Sequence, residues 1–142
     1  HIFKGTLDAN KQVESFSGIR YATVGDERFA KATLSVDGFQ YSSMPPSCYQ
    51  AINPLRAQYL GILEILPQDD ECLHLNLYRP ANTTSESNLP VLLWIPGGAF
   101  QIAGNLGYDG LYFCQEHDIL VLAINYRLGL FGFLPTDDGE NE

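Results

Sequence analysis

Basic residues are scarce in this chain: eight lysines and arginines stand against seventeen aspartates and glutamates, for a formal net charge of −9. Binding a phosphate backbone needs clustered Lys and Arg, so nucleic acid is not an expected partner. Long apolar runs are missing too. No stretch of eighteen apolar residues occurs, and no basic start leads into an apolar segment, so neither a membrane span nor a retained signal peptide is expected. A mature chain starting at His1 after signal removal is compatible with this. The serines at 15, 17, 35, 42, 43, 47, 85 and 87 include none held between glycines after a buried strand. The histidines offer no evident general base. His1 is terminal, His74 alternates with leucines in a strand pattern, and His117 closes a helical segment, where a cation complements the helix dipole. Three cysteines are an odd number, so at least one is unpaired within the chain.

What remains is a globular composition, 45% hydrophobic and 18% charged over 142 residues, enough for one ordinary domain. Its most informative stretch is Leu89-Pro90-Val91-Leu92-Leu93-Trp94-Ile95-Pro96-Gly97-Gly98-Ala99-Phe100. A short apolar run ends abruptly in small residues whose backbone N–H groups can be left bare, as in a tight turn or in a cradle for a developing oxyanion. Val91 to Ile95 and Ile119 to Ile124 read as strands of a parallel sheet buried on both faces, with a crossover helix at about Leu111 to His117. Such strands need helices on both faces, and nothing after Phe133 supplies the second layer. The fold class is therefore α/β, and the domain reads as incomplete.

Further blocks flank the glycine loop. Upstream are Phe16-Ser17-Gly18-Ile19-Arg20-Tyr21-Ala22, Arg28-Phe29 and Asp70-Glu71-Cys72-Leu73-His74-Leu75-Asn76-Leu77-Tyr78-Arg79-Pro80. Downstream are Tyr108-Asp109-Gly110 and Ala123-Ile124-Asn125-Tyr126-Arg127-Leu128-Gly129-Leu130-Phe131-Gly132-Phe133-Leu134. In order and spacing these resemble the type-B carboxylesterase/lipase family, which includes cholinesterases, secreted fungal lipases and the non-catalytic neuroligins. Arg20 stands where that family usually has proline, and Pro96 where it has histidine or an aromatic residue. The resemblance implies the N-terminal part of an α/β-hydrolase fold, with a mostly parallel central sheet and an antiparallel N-terminal edge. Residues 1–142 would be the first portion of one catalytic domain.

The same resemblance implies site roles. The oxyanion-hole donors fall on the backbone N–H groups of Gly98 and Ala99, with Gly97 allowing the turn. Phe100 and Tyr108 either line the substrate pocket or pack in the core. Cys48 and Cys72 would form a disulfide, while Cys114 reads as a small buried hydrophobe. Arg28 and Asp70 would form a structural salt bridge, and the partner of Arg127 is expected beyond Glu142. No metal or organic cofactor is implied. Residues 48–72 would be a disulfide-closed lid or gorge-wall loop. Within it Asn53 and Pro54 suit a helix start, and Leu55, Tyr59, Ile62, Leu63 and Leu66 follow at helical spacing up to Pro67. An ordinary amphipathic helix on the body fits that pattern equally well. Asn82-Thr83-Thr84 is an N-glycosylation acceptor in a polar loop, which with a disulfide points to a secreted, extracellular protein.

The family's nucleophile lies on a G-x-S-x-G elbow that this chain lacks. The expectation is thus the N-terminal chain of a secreted serine carboxylic-ester hydrolase. A second, larger chain of the same precursor would complete the fold and the Ser–His–Asp/Glu triad, and a small-molecule ester would be the substrate. The acidic segment Thr136 to Glu142 is of the kind where proteolytic nicking concentrates; the alternative is that these residues are simply a piece of a longer chain. Three rival readings are a neuroligin-like binding protein, a biosynthetic acyl-transfer or cyclisation enzyme on the same fold, and a freestanding interaction domain.

Overall fold

Alternating and β-branched residues bounded by turns set the first strands. In the computed structural model, which describes residues 2–25, 28–51 and 67–135, β1 (Thr6–Asp8) and β2 (Val13–Arg20) form an antiparallel hairpin pairing Thr6 with Ser15 and Asp8 with Val13. The register of β2 slips between Phe16 and Ile19. Gly18 sits at this bulge with φ +69°, and its N–H donates to Asn76 Oδ1 at 3.0 Å. Two short strands, β3 (Ala22–Thr23) and β4 (Thr33–Leu34), pair separately.

The main sheet runs β1-β2-β5-β7-β6. Here β5 is His74–Pro80, β6 is Val91–Trp94 and β7 is Leu120–Ile124. β2 pairs with β5 and β5 with β7 antiparallel, while β6 pairs with β7 in parallel, Val91 opposite Leu120 and Trp94 opposite Ala123. This is the antiparallel N-terminal edge of a mixed sheet, with its first parallel pair at the end. A parallel pair requires a crossover, supplied by helix α1 (Leu111–His117). Asp109 Oδ1 accepts the Leu111 N–H at 2.8 Å, and Asp118 ends the helix in the left-handed conformation. α1 carries Cys114, fully buried against Val13 and Val121, so the expected buried thiol is where the helix meets the sheet. A one-turn helix, α2 (Gly129–Phe133), follows β7.

A second cluster gathers Ala22, Val24, Leu73 and Leu128 around a disulfide between Cys48 and Cys72. The loop of 24 residues it closes is worth roughly 3 kcal/mol by chain entropy. The helical pattern from Asn53 to Leu66 lies outside the described residues.

Two details depart from the sequence pattern. On β5 the polar residues are the buried ones: His74 and Asn76 are almost fully enclosed, while Leu75 and Leu77 are only half covered. And β6, read as buried on both faces, is the edge strand, with Val91, Leu93, Trp94 and Ile95 all between 42% and 59% exposed.

Candidate active site

The carboxyl end of β6 delivers the chain into the glycine loop. Pro96 is buried and cannot donate, but its carbonyl accepts the Tyr126 hydroxyl at 2.7 Å, fixing the loop entry to the end of β7. Gly98 then turns the chain. Its carbonyl accepts the N–H groups of Gln101 and Ile102 at 3.1 and 3.2 Å. A Cβ on Gly98 would fall 1.5 Å from the Ile102 carbonyl oxygen, so only glycine fits. Ala99 and Phe100 both adopt the left-handed conformation, at φ +55° and +58°. The Phe100 carbonyl accepts the Gly129 N–H at 2.7 Å, tying the far side of the turn to α2.

With the turn closed this way, among the described residues no acceptor takes the N–H of Gly97, Gly98 or Ala99. Gly97 and Ala99 are exposed and Gly98 is partly so. Bare N–H groups on a loop braced at Pro96, Gly98 and Phe100 are donors that need no reorganisation to meet negative charge.

The two aromatic candidates go separate ways. Phe100 packs on Phe133, ring centroids 5.0 Å apart, and Tyr126 meets the same Phe133 edge-on. Tyr108 packs on Trp94 at 5.1 Å, and its carbonyl accepts the Tyr78 hydroxyl. Phe133, which pattern reading passed over, is therefore the residue that holds Phe100.

Arg28 Nε reaches both carboxylate oxygens of Asp70 at 3.0 to 3.1 Å, with the guanidinium over the Tyr49 ring. The arginine side chain is 46% exposed here, so the pair belongs to the exposed class worth about 0–1 kcal/mol. Arg127 bonds within this chain: Nη1 donates to the carbonyls of Arg28 and Ala30 at 3.1 and 2.9 Å. Arg20, the residue in the proline position, ion-pairs with Asp37 and lies 3.5 Å from Glu71, whose other carboxylate oxygen accepts from Thr23. Asn82 is exposed in the turn after β5, beside a surface cleft of about 280 Å³ that shares no residue with the glycine loop. Among the described residues no group of three His, Cys, Asp or Glu is placed to hold a metal ion, and no helix is long and apolar enough to cross a membrane.

Behind the glycine loop lies a polar core that motif reading missed. Asn105, fully buried, receives its position from three directions. Its backbone N–H donates to Asn125 Oδ1 at 2.9 Å, its Nδ2 donates to the Ala123 carbonyl at 3.1 Å, and the same Nδ2 lies 3.4 Å from His74 Nδ1. Gln50 clamps the neighbouring Ala103 through both its N–H and its carbonyl. Burial holds the His74 pKa below its ordinary value, against the bond the ring donates to the Pro46 carbonyl, which raises it, so the ring is neutral. Burial likewise raises the Cys114 thiol pKa, which leaves it unreactive.

A mixed sheet whose first parallel strand ends in a braced loop of bare amide donors defines the N-terminal part of an α/β-hydrolase fold. The match to known proteins is more specific. The model of the Carboxylesterase family matches residues 3–142, and the chain belongs to that family. It is 36% identical over 141 residues to Carboxylesterase 5A of Felis catus, covering 93% of this chain and 26% of that protein. It is 42% identical over 104 residues to Liver carboxylesterase 1 of Mus musculus, covering 68% of this chain and 18% of that protein. Among solved structures a PNB esterase superposes with a TM-score of 0.79 at 32% identity, over 98% of this chain and 29% of that one. The chain thus spans about a quarter of the length of the curated relatives it matches.

Proposed function

We propose that this chain is the N-terminal portion of a serine carboxylic-ester hydrolase and supplies its oxyanion hole. The observation that carries the reading is the loop Gly97–Ala99, whose N–H groups have no acceptor among the described residues while the Gly98 carbonyl closes the turn onto Gln101 and Ile102. As a serine attacks an ester carbonyl, charge collects on the carbonyl oxygen, and Gly98 and Ala99 would donate to it. Collapse expels the alcohol and leaves an acyl-enzyme, which water hydrolyses. The serine, its histidine base and the acid belong to the remainder of the protein, either a second, larger chain of one precursor or the continuation of this one. Phe100, braced by Phe133, would flank the bound ester. The Cys48–Cys72 loop would serve as lid or gorge wall, and Asn82 would carry a glycan in an oxidising, extracellular setting. The neuroligin-like reading has less support, since a pure binding surface has no use for bare donors at the end of a strand.

The test is intact mass of the natural protein under native and denaturing conditions, with the companion or downstream sequence determined, alongside turnover of p-nitrophenyl esters and labelling by a fluorophosphonate. A downstream G-x-S-x-G serine that takes the label is the expected result. A downstream sequence without that serine, in protein that turns over no ester, would overturn the reading in favour of a binding protein.

A further inference from the structure

We propose that His74 is a positioning residue for the glycine loop, acting through Asn105; this rests on the oxyanion-hole reading above. The geometry assigns its tautomer. His74 is fully enclosed, and its Nε2 lies 2.8 Å from the Pro46 carbonyl and 3.0 Å from Asn125 Nδ2, while Nδ1 lies 3.4 Å from Asn105 Nδ2. Neither amide is free to flip. The Ala123 carbonyl requires Nδ2 of Asn105 where it is, and the Asn105 backbone N–H requires Oδ1 of Asn125 where it is. With the hydrogen on Nε2, Pro46 is satisfied and Nδ1 accepts from Asn105, leaving one donor–donor contact at Asn125. With the hydrogen on Nδ1, an N–H would face the Asn105 amide and a lone pair would face the Pro46 carbonyl, two repulsive contacts for one bond. The Nε2–H form is therefore the one held, and its bare Nδ1 is the acceptor that seats Asn105.

Seating Asn105 matters because it ends the loop that starts at Gly98. Between them the turn is closed on itself by the Gly98 carbonyl and clamped at Ala103 by Gln50. Asn105 then ties that unit to Ala123 and Asn125 at the end of β7. Loss of the imidazole acceptor leaves a buried amide hydrogen without a partner and lets the unit drift on the sheet. A displacement of about 1 Å at an oxyanion donor is worth on the order of 10²-fold in rate.

The experiment uses the full-length protein. His74→Leu is expected to lower kcat roughly 10- to 100-fold, with KM changed less than about threefold, because the donors act on the transition state and not on the bound ester. Affinity for a boronic-acid transition-state analogue should fall in parallel, and exchange of the hydrogen-bonded amides of Gln101, Ile102, Ala103 and Asn105 should accelerate. His74→Gln, which keeps a donor toward Pro46 and an acceptor within reach of Asn105, should restore turnover to within about fivefold of wild type. A folded His74→Leu protein with unchanged kcat and boronate affinity overturns the proposal, even if its melting temperature has dropped. Should His74→Leu not fold, Asn105→Ala decides the matter on the same readouts. If His74→Gln also fails to fold, the residue is a core element only and the positioning role is withdrawn. A wild-type protein without ester turnover removes the esterase reading, and the exchange of the bonded amides of residues 101–105 in the variants then still decides whether His74 holds the loop.

Discussion

Gly98 and Ala99 are neighbours, yet their surroundings make opposite demands on a side chain. At Gly98 the obstacle is backbone: a methyl group would overlap the Ile102 carbonyl oxygen, which itself belongs to the turn that Gly98 closes. Gly98→Ala must therefore open the turn and swing the donors away. The expected outcome is a loss of at least ~10²-fold in ester turnover by the full-length protein, comparable to deleting an oxyanion donor, measured as kcat on a p-nitrophenyl ester. At Ala99 the methyl group is tolerated but the backbone is strained, since φ +55° costs a non-glycine residue about 1–2 kcal/mol. Glycine relieves that strain and adds about 0.5–1 kcal/mol of unfolded-state entropy to be overcome. Ala99→Gly is then neutral to about 1 kcal/mol stabilising in urea unfolding, with turnover kept and bulkier acyl groups better accepted. The asymmetry separates the two roles: Gly98 is required by packing, whereas Ala99 has only to present its N–H.

Between elements the joints are hydroxyls and amides more than ion pairs. The Tyr21 hydroxyl, between β2 and β3, donates to the Asn125 carbonyl at 2.6 Å just past β7. Burial pushes its pKa up to about 12, against a smaller opposing influence of Arg127. A raised phenol pKa means the fold holds the protonated form. Its contribution is complete below the unfolded value near 10 and is lost as pH climbs from 10 to 12, at up to about 1.4 kcal/mol per pH unit. Tyr21→Phe in the full-length protein should flatten part of that alkaline decline, read from urea midpoints between pH 8 and 11. Among the described residues Tyr41, Tyr78 and Cys114, whose pKa values burial also raises, add slope of the same sign. Some of this framework was legible beforehand. β6, α1 and the glycine loop could be read because an apolar run stops at Pro96-Gly97-Gly98, and Asp109-Gly110 then opens a helix of the expected extent. The buried face of β5 could not, because alternation reads His74 and Asn76 as outward when their hydrogen bonds let them face inward. Asn105 and Tyr126 were equally silent: they act through hydrogen bonds to backbone carbonyls and to buried side chains that no spacing rule reports. Strands of two residues such as β3 and β4 are too short to carry a period at all.

At the scale of the whole molecule, the balance of apolar surface decides what these residues can do alone. Among the described residues nineteen large apolar side chains remain exposed, while twelve apolar or cysteine residues are buried, several of them alanine or cysteine. Eight of the open ones lie where the sheet stops, on β6 and Ile95, and around the glycine loop and α2, at Phe100, Leu130, Phe133 and Leu134. An edge strand of this kind is an unpaired row of N–H and C=O groups flanked by hydrophobic side chains, and it either pairs with another strand or aggregates. Net charge of −9 favours solubility but adds nothing to the core. The 1–142 chain produced by itself should accordingly bind a hydrophobic dye such as ANS and unfold over a broad denaturant range without a cooperative transition. Produced together with the rest of the family domain, it should lose the dye signal and melt as one unit, with amides of Val91 to Trp94 among the most protected from exchange. A sharp two-state transition and no dye binding in the isolated chain would mean that the exposed edge is compatible with independent folding. The oxyanion-hole assignment would then need a different source for its serine, one that docks onto an already finished domain.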